Sequence, residues 1–177
     1  ISPRLAISLT GERAGILIDI TLAAIVAANL LTARYGPEIS ILNAFLFIGL
    51  DLTTRDYLHE IWQGKIKTNM VLLIFTGSAL SYAFNVDAGP IAIASFVAFL
   101  SAGLVDTVAY QALSNQTYNV KVNVSNTLAA AVDSIIFPTL AFGGVLWNIT
   151  AGQFAAKVIG GFIWAIVINA YIRSTKS

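Results

Sequence analysis

The stretch Gly49-Leu50-Asp51-Leu52-Thr53-Thr54-Arg55-Asp56-Tyr57-Leu58-His59-Glu60 decides the fold. It continues an apolar run over residues 39–50, and it holds three of the nine carboxylates and the only histidine. In a soluble protein, a cluster of charged residues at the end of an apolar segment marks a helix end. In a chain as apolar as this one it indicates a membrane boundary, with Asp51 on the membrane side.

The composition supports the membrane interpretation. Of the 177 residues, 57% are hydrophobic and 11% are charged, and the mean hydropathy is +0.79. Soluble domains carry about 25% charged residues, so this chain has too few polar groups to cover a surface in water. Its apolar runs do not alternate as the strands of a membrane β-barrel would. We therefore expect an all-α, polytopic membrane protein.

Other functional classes find little support in the sequence. A net charge of +1 gives no reason to expect nucleic acid binding. The absence of cysteine excludes disulfides, metal thiolates and a thiol nucleophile. No GxxxxGK[ST] motif is present, so the chain has no ATP-binding loop. An enzyme would need paired catalytic groups, and the single His59 is weak evidence, so we expect no enzymatic activity, cofactor or metal.

Six segments have the length and apolarity of a membrane-spanning helix, which needs about 20 apolar residues. They are residues of about 14–32, 39–54, 69–84, 90–110, 122–142 and 153–172. Turn signals such as Gly36-Pro37 and Gly89-Pro90 separate them. No gap could hold a soluble domain, so residues 1–177 are expected to form a single bundle of six transmembrane helices.

The placement of Lys and Arg predicts the orientation of the bundle. With the N-terminus inside, eight basic residues fall on the inner side and Arg34 alone falls on the outer side. The tenth, Lys157, lies within the sixth segment. Because cytoplasmic loops are enriched in Lys and Arg, both termini are expected to be cytoplasmic, in a multi-pass protein of the cytoplasmic (inner) membrane.

Ionisable residues within the predicted spans are candidates for a binding site, because charge is costly at bilayer depth. Four of the six segments carry a polar or aromatic stripe at helical spacing. The stripes are Asn43, Phe47, Asp51 and Thr54; Ser95, Phe99, Ala102, Asp106 and Tyr110; Asn126, Ala130, Asp133 and Phe137; and Gln153, Lys157, Gly160 and Trp164. Pointed inward, they would form a polar pocket with aromatic walls.

Structural roles for these residues stay open. Asp19 lies near the start of its segment, where an interface position is favoured over a site. Asp106 suits a structural hydrogen bond as well as a ligand contact, and Lys157 suits neutralisation of Asp133 or Asp106. Phe47 and Trp164 are more typical of packing than of stacking.

The pocket chemistry favours a flat, polar, heteroaromatic ligand. Aromatic side chains stack on ring faces. Carboxylates accept hydrogen bonds from N–H groups at a ring edge, and amides match mixed donor and acceptor edges. A guanine-like edge offers adjacent N–H donors that one carboxylate can accept.

Several motifs are similar to those of a known family. Arg55-Asp56-x-x-x-Glu60-x-x-Gly64 resembles a family signature, and Ala28-Asn29-Leu30-Leu31-x-x-Arg34-x-Gly36 resembles its first-helix end. The segments 95–110, with Asp106, and 125–143, with Asn126 and Asp133, are similar to its fourth and fifth helices. The chain thereby resembles the queuosine precursor transporter family, which is vitamin uptake transporter-like, over about residues 29–164.

The resemblance implies a six-helix importer of 7-deazaguanines such as preQ0 or preQ1. We expect the substrate-binding residues to be Asn43, Phe47, Asp51, Asp106, Asn126, Asp133, Lys157 and Trp164. Arg55, Asp56 and Glu60 are expected to form a cytoplasmic gate or network. Ala102-Gly103 stands where many relatives have Ser-Glu, which leaves the choice of base open.

Several properties of such a transporter remain undecided. The alternative function is a substrate-binding membrane subunit of an energy-coupling-factor-type importer, which requires a partner ATPase. The expected partners are the 7-deazaguanine and the lipid bilayer, with a homo-oligomer left open. The coupling ion, and the use of the base for tRNA or for phage DNA, are also undecided.

Overall fold

The computed structural model describes residues 11–62 and 66–174, and this part of the chain is helical without any strand. In these residues seven α-helices form six continuous helical segments, which we call rods, because the second and third helices are joined by a π-helical turn. The helices are α1 (Gly11–Tyr35), α2 (Ile39–Asn43), α3 (Gly49–Trp62), α4 (Ile66–Phe84), α5 (Gly89–Ala112), α6 (Tyr118–Phe142) and α7 (Trp147–Ser174). Each rod contains one predicted segment and extends beyond it at one end or at both.

The predicted turn residues end the helices. Gly36 follows α1 with a φ of 80°, a left-handed conformation that suits glycine, and its N–H donates to the carbonyl of Thr32 at 2.9 Å. Gly143 follows α6 with a φ of 77°. Pro90 lies in the first turn of α5, where its missing N–H costs no helical hydrogen bond.

The second rod contains a π-helical turn. Residues Ala44–Ile48 form this turn between α2 and α3, and the flanking residues Asn43 and Gly49 keep helical backbone angles. The rod is therefore continuous over 39–62 and longer than the predicted 39–54. A π-turn shifts the faces of the helix before and after it, and such turns are frequent at functional sites.

Helix α7 packs closely against the second rod through glycines. A Cβ atom on Gly160 would lie 2.5 Å from the backbone oxygen of Phe45 in the π-turn, and one on Gly152 would lie 2.6 Å from Ile41. The Thr53 hydroxyl donates to the carbonyl of Gly161 at 3.2 Å across the same crossing. Small residues allow this approach of two backbones, as in many membrane helix pairs.

Buried polar side chains tie the rods together. Asn29 of α1 donates to Ser81 of α4 at 3.0 Å and accepts from Ser95 of α5 at 2.6 Å. Thr21 of α1 and Thr54 of α3 share a hydrogen bond of 2.7 Å. In apolar surroundings such groups need internal partners, and these bonds supply them.

Apolar clusters fill the space between the rods. One cluster, of Leu17, Leu58, Met70 and Leu73, joins α1, α3 and α4. The other, of Ile25, Ile74 and Phe99, joins α1, α4 and α5. The most extensive packing of two helices in the described part of the chain is that of α5 along α6.

Large apolar side chains also cover the outside of the bundle. Phe84, Ile93, Leu104 and Phe162 are all more than 60% exposed. Within the described residues, three stretches are long and apolar enough to cross a membrane: Ala14–Tyr35, Val86–Ala112 and Asn123–Phe142. The all-α membrane prediction agrees with these helices, while the number of six spans and the orientation of the termini stay predictions.

The glycine crossing predicts a position-specific effect on stability. Gly160→Ala should lower the free energy of unfolding by about 1–3 kcal/mol, because the new methyl group meets the backbone oxygen of Phe45. The measurement is the thermal unfolding midpoint of the detergent-solubilised protein.

The neighbouring glycine is the matched control. A Cβ on Gly161 meets nothing within 4 Å, so Gly161→Ala should leave the midpoint unchanged or raise it slightly through helix propensity. Equal midpoints for the two variants would contradict the close crossing.

Candidate functional site

A small cavity lies where five of the six rods meet. It has a volume of about 20 Å³, and we call it the Asp133 cavity. Its walls are Ala28, Thr32, Ser40, Asn43, Ala44, Ile48, Ser95, Phe99, Asp133, Phe137, Gln153 and Lys157. These residues lie toward the bundle end that carries the turns 36–38 and 143–146, which is the end predicted to face outside.

A buried ion pair forms one wall of the cavity. The Lys157 ammonium of α7 contacts Asp133 Oδ2 of α6 directly. It also donates to Ser134 Oγ at 3.0 Å and to Gln153 Oε1 at 3.2 Å. An ammonium has three donors, so these three oxygens satisfy it fully. Lys157 is 3% exposed and Asp133 is 5% exposed.

One oxygen of the Asp133 carboxylate lacks a hydrogen-bond donor in the described part of the chain. This atom, Oδ1, is buried and has no hydrogen-bond partner among the described residues. A buried carboxylate oxygen without a donor is costly. Because Asp133 lines the cavity, a ligand with an N–H or O–H group would satisfy this atom.

Gln153 and Ser40 extend the polar wall from α7 to α2. The Gln153 amide donates to Ser40 Oγ at 2.7 Å, and the Ser40 hydroxyl in turn contacts the carbonyl of Pro37. Gln153 therefore uses its carbonyl for Lys157 and its amide N–H for Ser40. The network fixes the start of α7 against the start of the second rod.

Asn43 fixes the same rod against α1. Its amide nitrogen donates to the carbonyl of Ala28 at 3.1 Å and to Thr32 Oγ1 at 2.9 Å. Asn43 is 3% exposed and immediately precedes the π-turn. Its amide therefore holds Ala44, another lining residue, at the cavity wall.

Two phenylalanines supply the aromatic walls. Phe99 of α5 is 5% exposed and also belongs to the second apolar cluster. Phe137 of α6 makes an edge-to-face contact with Phe142 at a centroid distance of 6.1 Å. Both rings line the cavity, where they could stack on the faces of a planar ligand.

A proline helps to shape helix α6 at the site. Pro138 lies inside α6 and has no N–H to donate to the carbonyl of Ser134, four residues earlier. Ser134 is fully buried and accepts from Lys157 through its hydroxyl. The helical ladder is therefore interrupted directly beside the ion pair.

The structure brings three of the predicted site residues together at the cavity, namely Asn43, Asp133 and Lys157. Asp51 is fully buried in α3, one turn beyond Ile48, but does not line the cavity, and it has an interaction partner of its own. Phe47 is half-buried in the π-turn and is not a lining residue.

The remaining predicted residues lie elsewhere. Asp106 is partly buried toward the other end of α5, and Trp164 is partly buried in α7. Asn126 is exposed on α6. None of the three lines the cavity. Arg55, Asp56 and Glu60 fall in α3, but their side chains lie outside the described part of the structure, and the cytoplasmic gate stays a prediction.

Nine lining residues were not among the predicted site residues: three are aliphatic, namely Ala28, Ala44 and Ile48, and the other six are polar or aromatic. The six are Thr32, Ser40, Ser95, Phe99, Phe137 and Gln153. Four of them, Ser95, Phe99, Phe137 and Gln153, belong to the helical stripes from which the pocket was predicted. The periodicity of the sequence therefore indicated that these residues face the centre of the bundle. Thr32 and Ser40 flank the first turn, where no stripe is long enough to reveal them.

The site shows no metal-binding arrangement. No group of three or more His, Cys, Asp or Glu side chains comes together within the described ranges. The chemistry of the cavity is that of hydrogen bonding, one balanced ion pair and aromatic contact.

Comparison with known proteins identifies the family of the chain. The family model described as "Putative vitamin uptake transporter" matches residues 42–171, which include α3 to α6 and most of α7. No curated protein and no solved structure shows significant similarity to the chain.

The ion pair predicts an unequal effect of single and double substitutions. Lys157→Met should lower the free energy of unfolding by about 3–5 kcal/mol, because it leaves the Asp133 carboxylate buried without a counterion. In the double variant Asp133→Asn/Lys157→Met the free energy of unfolding should fall much less, since this variant buries no net charge. Thermal unfolding midpoints in detergent measure both effects.

The same series supplies its own control. Asp133→Asn alone removes one partner while the ammonium keeps Ser134 and Gln153, so its loss should lie between those of the other two variants. Additive losses in the double variant would contradict the coupling of the two charges.

Proposed function

The chain belongs to the vitamin uptake transporter family, and on this premise we propose that it imports queuosine precursors, 7-deazaguanines such as preQ0 or preQ1, across the cytoplasmic membrane. The proposal includes six membrane spans with both termini in the cytoplasm. The family match supports membrane transport of a small molecule, and the chemistry of the Asp133 cavity supports the choice of base.

The free acceptor of Asp133 is the observation that carries the proposal. Asp133 lines the cavity, and its Oδ1 atom is buried and lacks a hydrogen-bond donor in the described structure. The guanine-like edge of a 7-deazaguanine presents adjacent N–H donors. One of these can donate to Oδ1, while the Lys157 ammonium keeps its contact with Oδ2.

The rest of the cavity wall fits the same ligand class. The rings of Phe99 and Phe137 offer faces for a bicyclic heteroaromatic ring. The Ser95 hydroxyl and the Asn43 and Gln153 amides lie on the wall as neutral polar groups. Neutral hydrogen-bonding groups beside apolar rings are typical of a site for a planar base.

The size of the cavity indicates that binding requires a rearrangement. A volume of about 20 Å³ has room for about one water molecule, whereas pockets for small ligands measure about 300–1,000 Å³. The helices that form the walls must separate to admit a base. Alternating access has this property, because the site is occluded between its outward and inward states.

Uptake by the chain alone is the first test. Expressed in a host that cannot synthesise queuosine precursors, the protein should restore queuosine in tRNA when preQ0 or preQ1 is supplied in the medium. The readout is the queuosine content of purified tRNA, compared with that of the empty-vector host.

Failure of uptake has two distinct meanings. Uptake that appears only with an added ATPase partner would favour the energy-coupling-factor alternative. Absence of both uptake and binding of either base by the purified protein would refute the choice of substrate.

Asp133→Asn tests the site within this proposal. It replaces one carboxylate acceptor with an amide, and loss of a charged hydrogen bond costs about 1.5–3 kcal/mol, so uptake at limiting preQ0 should fall about tenfold or more. Asp19→Asn is the matched control, because Asp19 is an exposed acid on α1 outside the cavity. Membrane abundance is measured by immunoblot, and equal uptake by both variants at equal abundance would remove Asp133 from the site.

A further inference from the structure

We propose that Lys157 is a charge filter, which makes the Asp133 cavity select neutral planar bases over bases that carry a cationic substituent. This inference rests on the proposed function and adds the charge class of the substrate. It distinguishes 7-cyano-7-deazaguanine (preQ0) and other neutral bases from 7-aminomethyl-7-deazaguanine (preQ1), whose amine is protonated near pH 7 as a lysine amine is.

The charges on the cavity wall balance. Asp133 and Lys157 are the two ionisable residues among those that line it, and they pair with each other. All three ammonium donors are taken by Asp133, Ser134 and Gln153. A neutral ligand leaves the enclosed net charge at zero, whereas a cationic ligand raises it to one positive charge. Unbalanced charge is disfavoured strongly in apolar surroundings.

A single acceptor, Asp133 Oδ1, cannot bind both the ring edge and the aminomethyl cation of a cationic base. Asp133 is the one acid among the lining residues, and its Oδ1 atom lacks a hydrogen-bond partner in the described structure. If the ring edge donates to this atom, the aminomethyl cation has no second carboxylate among the lining residues. Asp51 is the next acid on the second rod, but it does not line the cavity and already has a partner.

The test compares preQ1 with a neutral analogue of nearly the same size. The purified wild-type protein is titrated at pH 7 with preQ1 and with 7-hydroxymethyl-7-deazaguanine, in which a neutral hydroxyl replaces the ammonium, and with preQ0 as the second neutral base. The neutral ligands should bind about tenfold or more tightly than preQ1, because like charges repel at short range in a partly desolvated site. Isothermal titration calorimetry gives the dissociation constants.

Substitution of Lys157 should reverse this order. In Lys157→Met the Asp133 carboxylate has no counterion, so the cationic preQ1 should become the tighter ligand. In Asp133→Asn/Lys157→Met neither charge remains, so the reversal should disappear. Lys157→Arg keeps the positive charge and should keep the wild-type preference.

The outcomes separate this inference from the proposed function. Equal affinities of wild-type protein for preQ1 and its hydroxymethyl analogue would overturn the charge filter and leave the proposed function standing. Failure to bind any of the three bases would overturn both. If Lys157→Met does not fold, the affinities for preQ1 and its hydroxymethyl analogue are compared in the wild-type protein and in Lys157→Arg. These two comparisons then decide the question.

Discussion

The ion pair between Lys157 and Asp133 is the interaction on which the centre of the bundle depends. Neither charge could remain alone at 3% and 5% exposure, because an isolated buried charge costs several kcal/mol. Ser134 and Gln153 accept the other ammonium hydrogens, and the Gln153 amide donates in turn to Ser40. One cation thereby fixes α6, α7 and the start of the second rod relative to one another, and the second Asp133 oxygen, Oδ1, keeps no hydrogen-bond donor in the described structure.

One face of α7 both packs against the second rod and lines the Asp133 cavity. Gln153, Lys157 and Gly160 follow each other at helical spacing, so they lie on the same side of the helix. Gly160 lets this side approach the backbone of Phe45 in the π-turn and of Gly49 at the start of α3. The approach places Gln153 and Lys157 against the lining residues of the second rod. A larger residue at the crossing would therefore disturb the site as well as the bundle.

The helical stripes of the sequence indicated only part of the site, because packed helices cross at an angle and only a portion of each stripe reaches the centre. Asp133 and Phe137 lie on the cavity wall, whereas Asn126 lies about 10 Å back along the α6 axis at 1.5 Å per residue and is exposed. Similarly, Ser95 and Phe99 reach the cavity from α5 and Asp106 does not. Periodicity specifies a face of a helix, but it does not specify the depth at which that face meets its neighbours.

The sequence by itself determined the all-α class, the order of the six rods and the turns that end them, because apolar runs, glycines and prolines act locally. It also determined that Asp133 and Lys157 would need partners, since charge within an apolar segment is costly wherever the segment packs. Only the tertiary structure decided that these two residues pair with each other, that the second rod contains a π-turn, and that Asp133 Oδ1 remains available. Those outcomes depend on distances between helices, which the glycine crossing at Gly160 and the polar ties of Asn29 and Asn43 set together.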